Sequence, residues 1–241
     1  MGVDVRAELS VGGSRAWPRA LPCGETAVSI ELGNRIDRAV NDRVHALFNT
    51  LKALSLPGIV DMTPTYRSLL IQYDPWDCSF EQLLIVIEGC LADLAAGASP
   101  EPEGVTIPVC YGGIYGPDLQ DVAAIHGMTA DQVVAIHSTP AYHVYMIGFA
   151  PGFPYLGGLD ERLHTPRLHE PRQKVPAGSV GIADRQTGIY PLESPGGWRL
   201  IGRTPLRLFD PTRNDPFLIR PGGSLRFLPI TRDAFESHQN P

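Results

Sequence analysis

The side chains that could do chemistry crowd between residues 142 and 207. The stretch GFAPGFPYLGGL (148–159) sets Phe149, Phe153 and Tyr155 among two prolines and four glycines. The longer run PRQKVPAGSVGIADRQTGIYPLESPGGWRLIGRTPLRLFDP (171–211) adds Arg172, Lys174, Ser179, Gln186, Tyr190, Trp198 and Arg203. Cationic and polar groups set among stiff turns and aromatic rings suit a concave site for a small anion. Proline and glycine fix the backbone of such a loop, and the rings supply wall area. Gly196 and Gly197, just before Trp198, suit a turn or a close backbone approach to a ligand. His143 is the titratable candidate for proton transfer beside the loop. The plainer reading is that the basic residues solvate loops and that 148–159 is a buried core crossover.

Other chemistries find little support. AGSVG (177–181) nearly matches the nucleophile elbow G-x-S-x-G, with Ala177 in place of the first glycine. The elbow needs a helix after the serine, and here turns and strands follow. Ser179 therefore reads as a turn or ligand-contacting serine. There is no Walker loop and no G-x-G-x-x-G opening a helix, so the chain carries no nucleotide-binding motif of its own. The seven histidines form no H-E-x-x-H or H-x-H pattern. His164 and His169 lie in a proline-rich loop without evident carboxylate partners, so no metal site is expected. Cys23, Cys78, Cys90 and Cys110 are scattered and make no C-x-x-C, which fits reduced thiols in a cytoplasmic protein.

The elements that must position these groups come in two styles. Only 14 of the 48 glycines and prolines fall in residues 1–100; 34 fall in 101–241. AAGASPEPEG (95–104) reads as the linker between two domains, 1–100 and 101–241. In the first, TAVSIEL (26–32) alternates as a strand, and IDRAVNDRVHALFNTLKAL (36–54) carries an apolar helical stripe. Strands near 58–64 and 66–74 follow. A helix over 79–94 opens on a Ser79/Gln82 capping box. GVTIPV (104–109) is expected as the final strand of a β-α-β-β-α-β, ferredoxin-like order that reaches about residue 110. The second domain opens with two short helices, DLQDVAAIHG and TADQVVAIHST, the latter capped by Thr129 with Gln132. They resemble a helix-turn-helix, but no Lys or Arg occurs from Tyr115 to Tyr142 to hold phosphate, so a structural hairpin is expected. The runs YHVYMIGF, SVGIA, TGIYPL, WRLIG, LRLF and SLRFLP then suggest a β-barrel or sandwich with long loops.

A formal net charge of −6 gives no reason to expect nucleic acid or an anionic membrane as partner. The first twenty residues hold acids and arginines without an apolar run, and no signal peptide or membrane span is expected.

Three stretches resemble one family at length: VYMIGFAPGFPYLGGL (144–159), the run 171–211 above, and IPVCYGGIYGPDLQDVA (107–123). They resemble the family of 5-oxoprolinase B subunits, also called allophanate hydrolase subunit 1, KipI-like, or the C and D subdomains of the carboxyltransferase domain. The resemblance runs from about Ala20 to Ile230 and is looser in the first half. There, PCGETAVSIELGNRID places Glu25 where the family has the Asp of a Gly-Asp-x-Ala pattern. The resemblance implies an α+β protein with a ferredoxin-like N-terminal domain and a cyclophilin-like β-barrel C-terminal domain. It implies a hydrolase component, the B subunit of a heteromeric ATP-dependent 5-oxoprolinase that converts 5-oxo-L-proline to L-glutamate and is inactive alone. The implied partners are the A and C subunits of 5-oxoprolinase, the latter allophanate hydrolase subunit 2-like. ATP is the implied cofactor, held on or shared with a partner. In such a complex Arg172, Lys174, Gln186, Tyr190 and Arg203 would bind a carboxylate, a phosphate or an intermediate. Two alternatives stay open: a KipI-like inhibitor of a sensor histidine kinase, and a carboxyltransferase component of the allophanate hydrolase/urea carboxylase type.

Overall fold

A computed structural model describes residues 9–11, 17–94 and 104–239. The chain divides into two compact units, Met1–Glu101 and Pro102–Pro241. The expected linker, 95–104, lies outside the described residues except for Gly104.

The first unit holds β1 (Ser10–Val11), β2 (Arg19–Pro22), β3 (Ala27–Glu31), α1 (Arg38–Leu54), β4 (Ile59–Pro64), β5 (Ser68–Tyr73) and α2 (Phe80–Leu94). Its sheet runs β1-β2-β3-β5-β4. β5 lies antiparallel between β3 and β4, which makes the β3-α1-β4 unit a split βαβ. Alternation does the sorting: Val28 and Ile30 of β3 are fully buried, and they pack in one core with Leu47 of α1 and Ile87 of α2. α1 starts two residues later than its apolar stripe suggests. Asp37 is the cap, its carboxylate accepting the Ala39 and Val40 N–H groups at 3.0 and 3.3 Å, and so Ile36 stands outside the helix, 60% exposed. α2 opens on the expected reciprocal bonds between Ser79 and Gln82, at 2.9 and 3.2 Å.

The strand expected at 104–109 as the close of this sheet belongs elsewhere. It is β6 (Val105–Tyr111), in the second unit, and it pairs in parallel with the C-terminal strand from Val105↔Leu225 to Val109↔Pro229. Its partner lies 120 positions away, a pairing that no local turn signal announces. The flank of β3 that it would have occupied is taken by β2, antiparallel, from Arg19↔Glu31 to Pro22↔Val28. A four-residue RALP strand ending in proline has too little pattern to be read from sequence.

After β6 the second unit runs α3 (Leu119–Ile125), α4 (Ala130–Ser138), β7 (Ala141–Ile147), β8 (Pro154–Gly157), a 3₁₀ turn (Glu161–Leu163), β9 (Arg172–Val175), β10 (Ser179–Ala183), β11 (Gln186–Ile189), β12 (Ser194–Gly196), β13 (Arg199–Arg203), β14 (Ser224–Pro229) and α5 (Arg232–Gln239). Seven strands close a barrel in the order β10-β11-β8-β7-β14-β6-β13, with β9 and β12 paired as a separate ribbon. The protein is therefore mixed α+β with a closed barrel. The run LRLF forms no strand: Leu208 is buried, but its segment makes only the isolated bridge Phe209↔Phe217. Val122 and Val133 of the helical pair α3–α4 are fully buried in the barrel core with Val144, Ile182, Ile201 and Phe227. Each such side chain contributes roughly 1.5–3 kcal/mol on leaving water.

One polar network is sealed into this core. His137, at the end of α4, is fully buried, and its Nδ1 lies 2.8 Å from Tyr111 Oη and its Nε2 2.8 Å from Thr187 Oγ1. Thr187 Oγ1 donates its own proton to Gly181 O at 3.0 Å, so it accepts from Nε2–H, and Nδ1 accepts from Tyr111. The ring stacks on Phe227 at 4.6 Å. Burial holds the imidazole pKa down at about 3 and pushes the Tyr111 phenol up.

Candidate functional site

The stretch 148–153 is the tip of the β7–β8 hairpin. Gly148 N–H donates to Phe153 O at 3.0 Å, and Phe153 N–H donates to Ala150 O at 3.0 Å. Between these bonds Phe149 sits in left-handed backbone at φ 63° with 68% of its surface exposed. A bulky residue there costs of order 1–3 kcal/mol, a strain typical of functional loops. Gly152 takes φ 84°, and a Cβ there would stand 3.1 Å from Phe209 Cβ. The two readings of the stretch thus divide by residue: Phe153 is 2% exposed and belongs to a core, while Phe149 faces out.

Phe153 is the hub of an aromatic cup. Its ring centroid lies 5.5 Å from Phe149, 5.2 Å from Tyr155, 5.4 Å from Tyr190 and 5.5 Å from Trp198. Most of these rings meet edge to face, the geometry their quadrupoles favour. Phe153, Tyr190 and Trp198 form a small core with Val175, Ala183 and Leu200, distinct from the barrel core. Glycines let the rings close up. A Cβ on Gly188 would come within 3.0 Å of Trp198 and 3.2 Å of Phe153, and one on Gly196 would collide with the Tyr190 hydroxyl. The Trp198 backbone hydrogen-bonds that hydroxyl, while burial raises the Tyr190 pKa. Tyr190 is therefore a neutral hydrogen-bonding group at physiological pH.

These rings line a pocket of about 170 Å³, floored by Pro195, Gly196 and Gly197 and edged by Arg167. Arg167 Nε donates to Asp184 at 3.1 Å, with both side chains more than half exposed. Arg167 escaped the sequence reading because TPRLHEP offers only a proline-flanked arginine, with no periodic or motif signal. The lining, among the described residues, contains no histidine, cysteine, lysine or carboxylate. Such a pocket can bind and orient a small molecule with an apolar body and an anionic edge. It offers no general base.

Of the residues singled out in the sequence, Phe149, Phe153, Tyr155, Tyr190, Gly196, Gly197 and Trp198 come together here, and the others stand outside the lining. Arg172 Nη2 donates to Asp118 Oδ1 at 2.6 Å. Lys174 is 79% exposed and lies 3.3 Å from Glu193. Ser179 is buried at the start of β10 opposite Arg203, whose Nε donates to Ala177 O at 2.8 Å. Gln186 lies at the far end of the β10–β11 pair, opposite Ala183, whereas Tyr190 follows the other end of β11. His143 is 8% exposed, paired across β7 with Gly157 and Ser224, and packs edge-on against Tyr145 at 4.8 Å. His164 and His169 belong to no group of three or more metal-ligating side chains among the described residues. No helix there is long and apolar enough to cross a membrane.

At about 170 Å³ the pocket is smaller than the roughly 300–1,000 Å³ of sites that enclose larger ligands, and it offers one guanidinium. The glycine-rich turn 112–116 before α3 is no phosphate cradle either. Gly116 N–H is taken by Gly112 O at 2.9 Å, and the Asp118 carboxylate stands at the helix start. These residues do not fit a nucleoside triphosphate.

Residues 18–219 match the family described as carboxyltransferase domain, subdomain C and D. A 5-oxoprolinase B subunit of Bacillus subtilis (strain 168) is 41% identical over 226 residues, spanning 90% of this chain and 94% of that protein. A 5-oxoprolinase B subunit of Escherichia coli O157:H7 is 46% identical over 207 residues, spanning 86% and 93%. Among solved structures, that of TTHA0988 superimposes with a TM-score of 0.76 at 40% identity, covering 85% of this chain and 40% of that one.

Proposed function

The chain belongs to the carboxyltransferase domain, subdomain C and D, family, and from that premise we propose that it is the B subunit of a heteromeric ATP-dependent 5-oxoprolinase. Relatives named as 5-oxoprolinase B subunits, matched over nine-tenths of their length, support this reading. Its fold reads as a ferredoxin-like sheet, with β2 standing in for the last strand, followed by a cyclophilin-like barrel.

The aromatic cup supports this reading by offering a pocket of matching chemistry. 5-Oxoproline is a small ring amide with two ring methylenes and one carboxylate. The methylenes fit against Phe153, Tyr155 and Trp198, and the carboxylate fits the Arg167 guanidinium at the pocket edge. Tyr190, protonated and buried, would hydrogen-bond the lactam. The pocket holds and orients the ring; it supplies neither a base nor a nucleotide site. The A and C subunits would bring ATP and the proton-transfer groups, and the isolated chain would not turn over. Arg172, Lys174, Ser179, Gln186 and Arg203 lie outside the lining, so their part in substrate binding would need a partner's surface or a second site.

The test is 5-oxoproline-dependent ATP hydrolysis by this chain alone, and by the chain reconstituted with its A and C partners. Turnover is expected only in the full mixture. Arg167→Ala should raise KM for 5-oxoproline at little change in kcat, the mark of lost ground-state binding. A stable assembly of all three proteins without turnover would overturn the assignment and turn attention to kinase inhibition or carboxyl transfer.

A further inference from the structure

Asp118 stands outside the pocket, yet two of its bonds reach Leu200, two residues beyond Trp198, and a third reaches Arg172. It precedes α3, where an aspartate would ordinarily cap the helix, but its side chain makes no capping bond. The carboxylate is 6% exposed and turns the other way. Oδ1 accepts Arg172 Nη2 at 2.6 Å, and Oδ2 accepts the Leu200 N–H at 2.6 Å. Asp118 N–H donates to Leu200 O at 2.9 Å, and Arg172 Nη1 reaches Trp198 O at 3.5 Å. Arg172 itself lies opposite Gly196 in the β9–β12 ribbon. One carboxylate thus ties the start of α3 to β13 on one side of Trp198 and to the ribbon on the other. The glycine turn makes this reach possible: Gly112 N–H donates to Ile201 O at 3.0 Å, and a Cβ on Gly116 would run into that same carbonyl.

We infer that Asp118 is a positioning residue, which fixes the Trp198 wall of the aromatic cup through Arg172 and Leu200. The inference rests on the cup being the 5-oxoproline pocket only for its effect on turnover; the effect on Trp198 stands apart from that reading. A buried ion pair is a weak source of net stability, because desolvation offsets much of its attraction. Directional bonds at 2.6 Å to two different strands, with the helix left uncapped, are what a fixed geometry requires.

The experiment uses the full chain with Trp17→Phe and Trp76→Phe, which leaves Trp198 as the sole tryptophan. Asp118→Asn keeps an acceptor for Leu200 but removes the charge that holds Arg172. Acrylamide quenching of Trp198 should rise severalfold, and exchange of the Leu200 amide should rise locally. In the fully assembled 5-oxoprolinase complex, KM for 5-oxoproline should rise about tenfold with kcat within about twofold. Unchanged quenching in folded Asp118→Asn protein, or faster exchange spread evenly over the barrel, would overturn the inference. Changed quenching with wild-type KM would leave Asp118 in its role and remove 5-oxoproline from the cup. Should Asp118→Asn fail to fold, Arg172→Gln keeps the Asp118–Leu200 bond. It is then expected to raise quenching without faster Leu200 exchange, and unchanged quenching there would overturn the inference equally.

Discussion

His137 makes the barrel acid-sensitive, because burial disfavours its charged form. The imidazole is fully buried, and burial holds its pKa at about 3 against 6.5 for the exposed ring. The folded barrel therefore keeps His137 neutral, while the unfolded chain takes up a proton as pH falls below 6.5. Stability is complete above pH 6.5 and drains away as pH falls toward 3. At about 1.4 kcal/mol per pH unit, the loss is about 2 kcal/mol at about pH 5 and roughly 5 kcal/mol at the low-pH limit. Urea unfolding followed by Trp198 emission, in the chain with Trp17 and Trp76 replaced, reports the barrel unit. His137→Gln is the reference, since its amide can accept from Tyr111 and donate to Thr187 without titrating. Carboxylates titrate alike in both proteins and cancel in the difference. That difference should shrink by about 2 kcal/mol between about pH 7.5 and about pH 5, and parallel curves for the two proteins would refute the reasoning.

Three further substitutions probe the cup and its frame. Gly196→Ala puts a methyl group against the Tyr190 hydroxyl; it should cost about 1–3 kcal/mol in thermal unfolding and raise KM for 5-oxoproline in the reconstituted complex. Ser194→Ala should hold or raise stability by about 1 kcal/mol, since Ser194 Oγ is buried without a hydrogen-bond partner. Phe149→Gly relieves a left-handed backbone at φ 63°; the free energy of unfolding measured by denaturant titration should hold or rise, by up to about 1 kcal/mol, while 5-oxoproline turnover falls.

What the sequence reveals follows the range of each signal. α2 is legible because Ser79, Gln82 and its apolar face lie within one helix, and the α3–α4 pair is legible for the same reason, with Thr129 and Gln132 closing their own capping box. The barrel as a class shows in its short apolar runs. Its closure does not, because β6 finds β14 across most of the second unit and abandons the sheet to which its place in the chain assigns it. The site divides in the same manner. The rings of GFAPGFPYLGGL announce themselves by composition, and so does Trp198 behind two glycines. Cationic residues do not announce their direction: Arg172 and Lys174 look alike in sequence, yet Arg172 is held by a buried aspartate 54 residues earlier and Lys174 stands in solvent beside Glu193. Arg167, the cation at the pocket edge, is placed by the fold of a loop that no local rule specifies.

The separation of the cup from the barrel core has a consequence for how such a site can change. The barrel core is aliphatic around Tyr142 and Phe227, whereas the cup is a second cluster built from a hairpin tip, a two-stranded ribbon and one edge of β13. Packing alone gives rings at 5.2–5.5 Å several arrangements of similar energy. Selection among them falls to directional groups: the Asp118 carboxylate on β13 and the ribbon, the Trp198 backbone on Tyr190, and the absent side chain of Gly196. Substitutions in the barrel core should therefore lower stability with the kinetics of the folded complex preserved. Substitutions at these directional groups should move KM first. That ordering distinguishes a pocket whose shape is imposed on it from one that merely inherits the rigidity of the barrel.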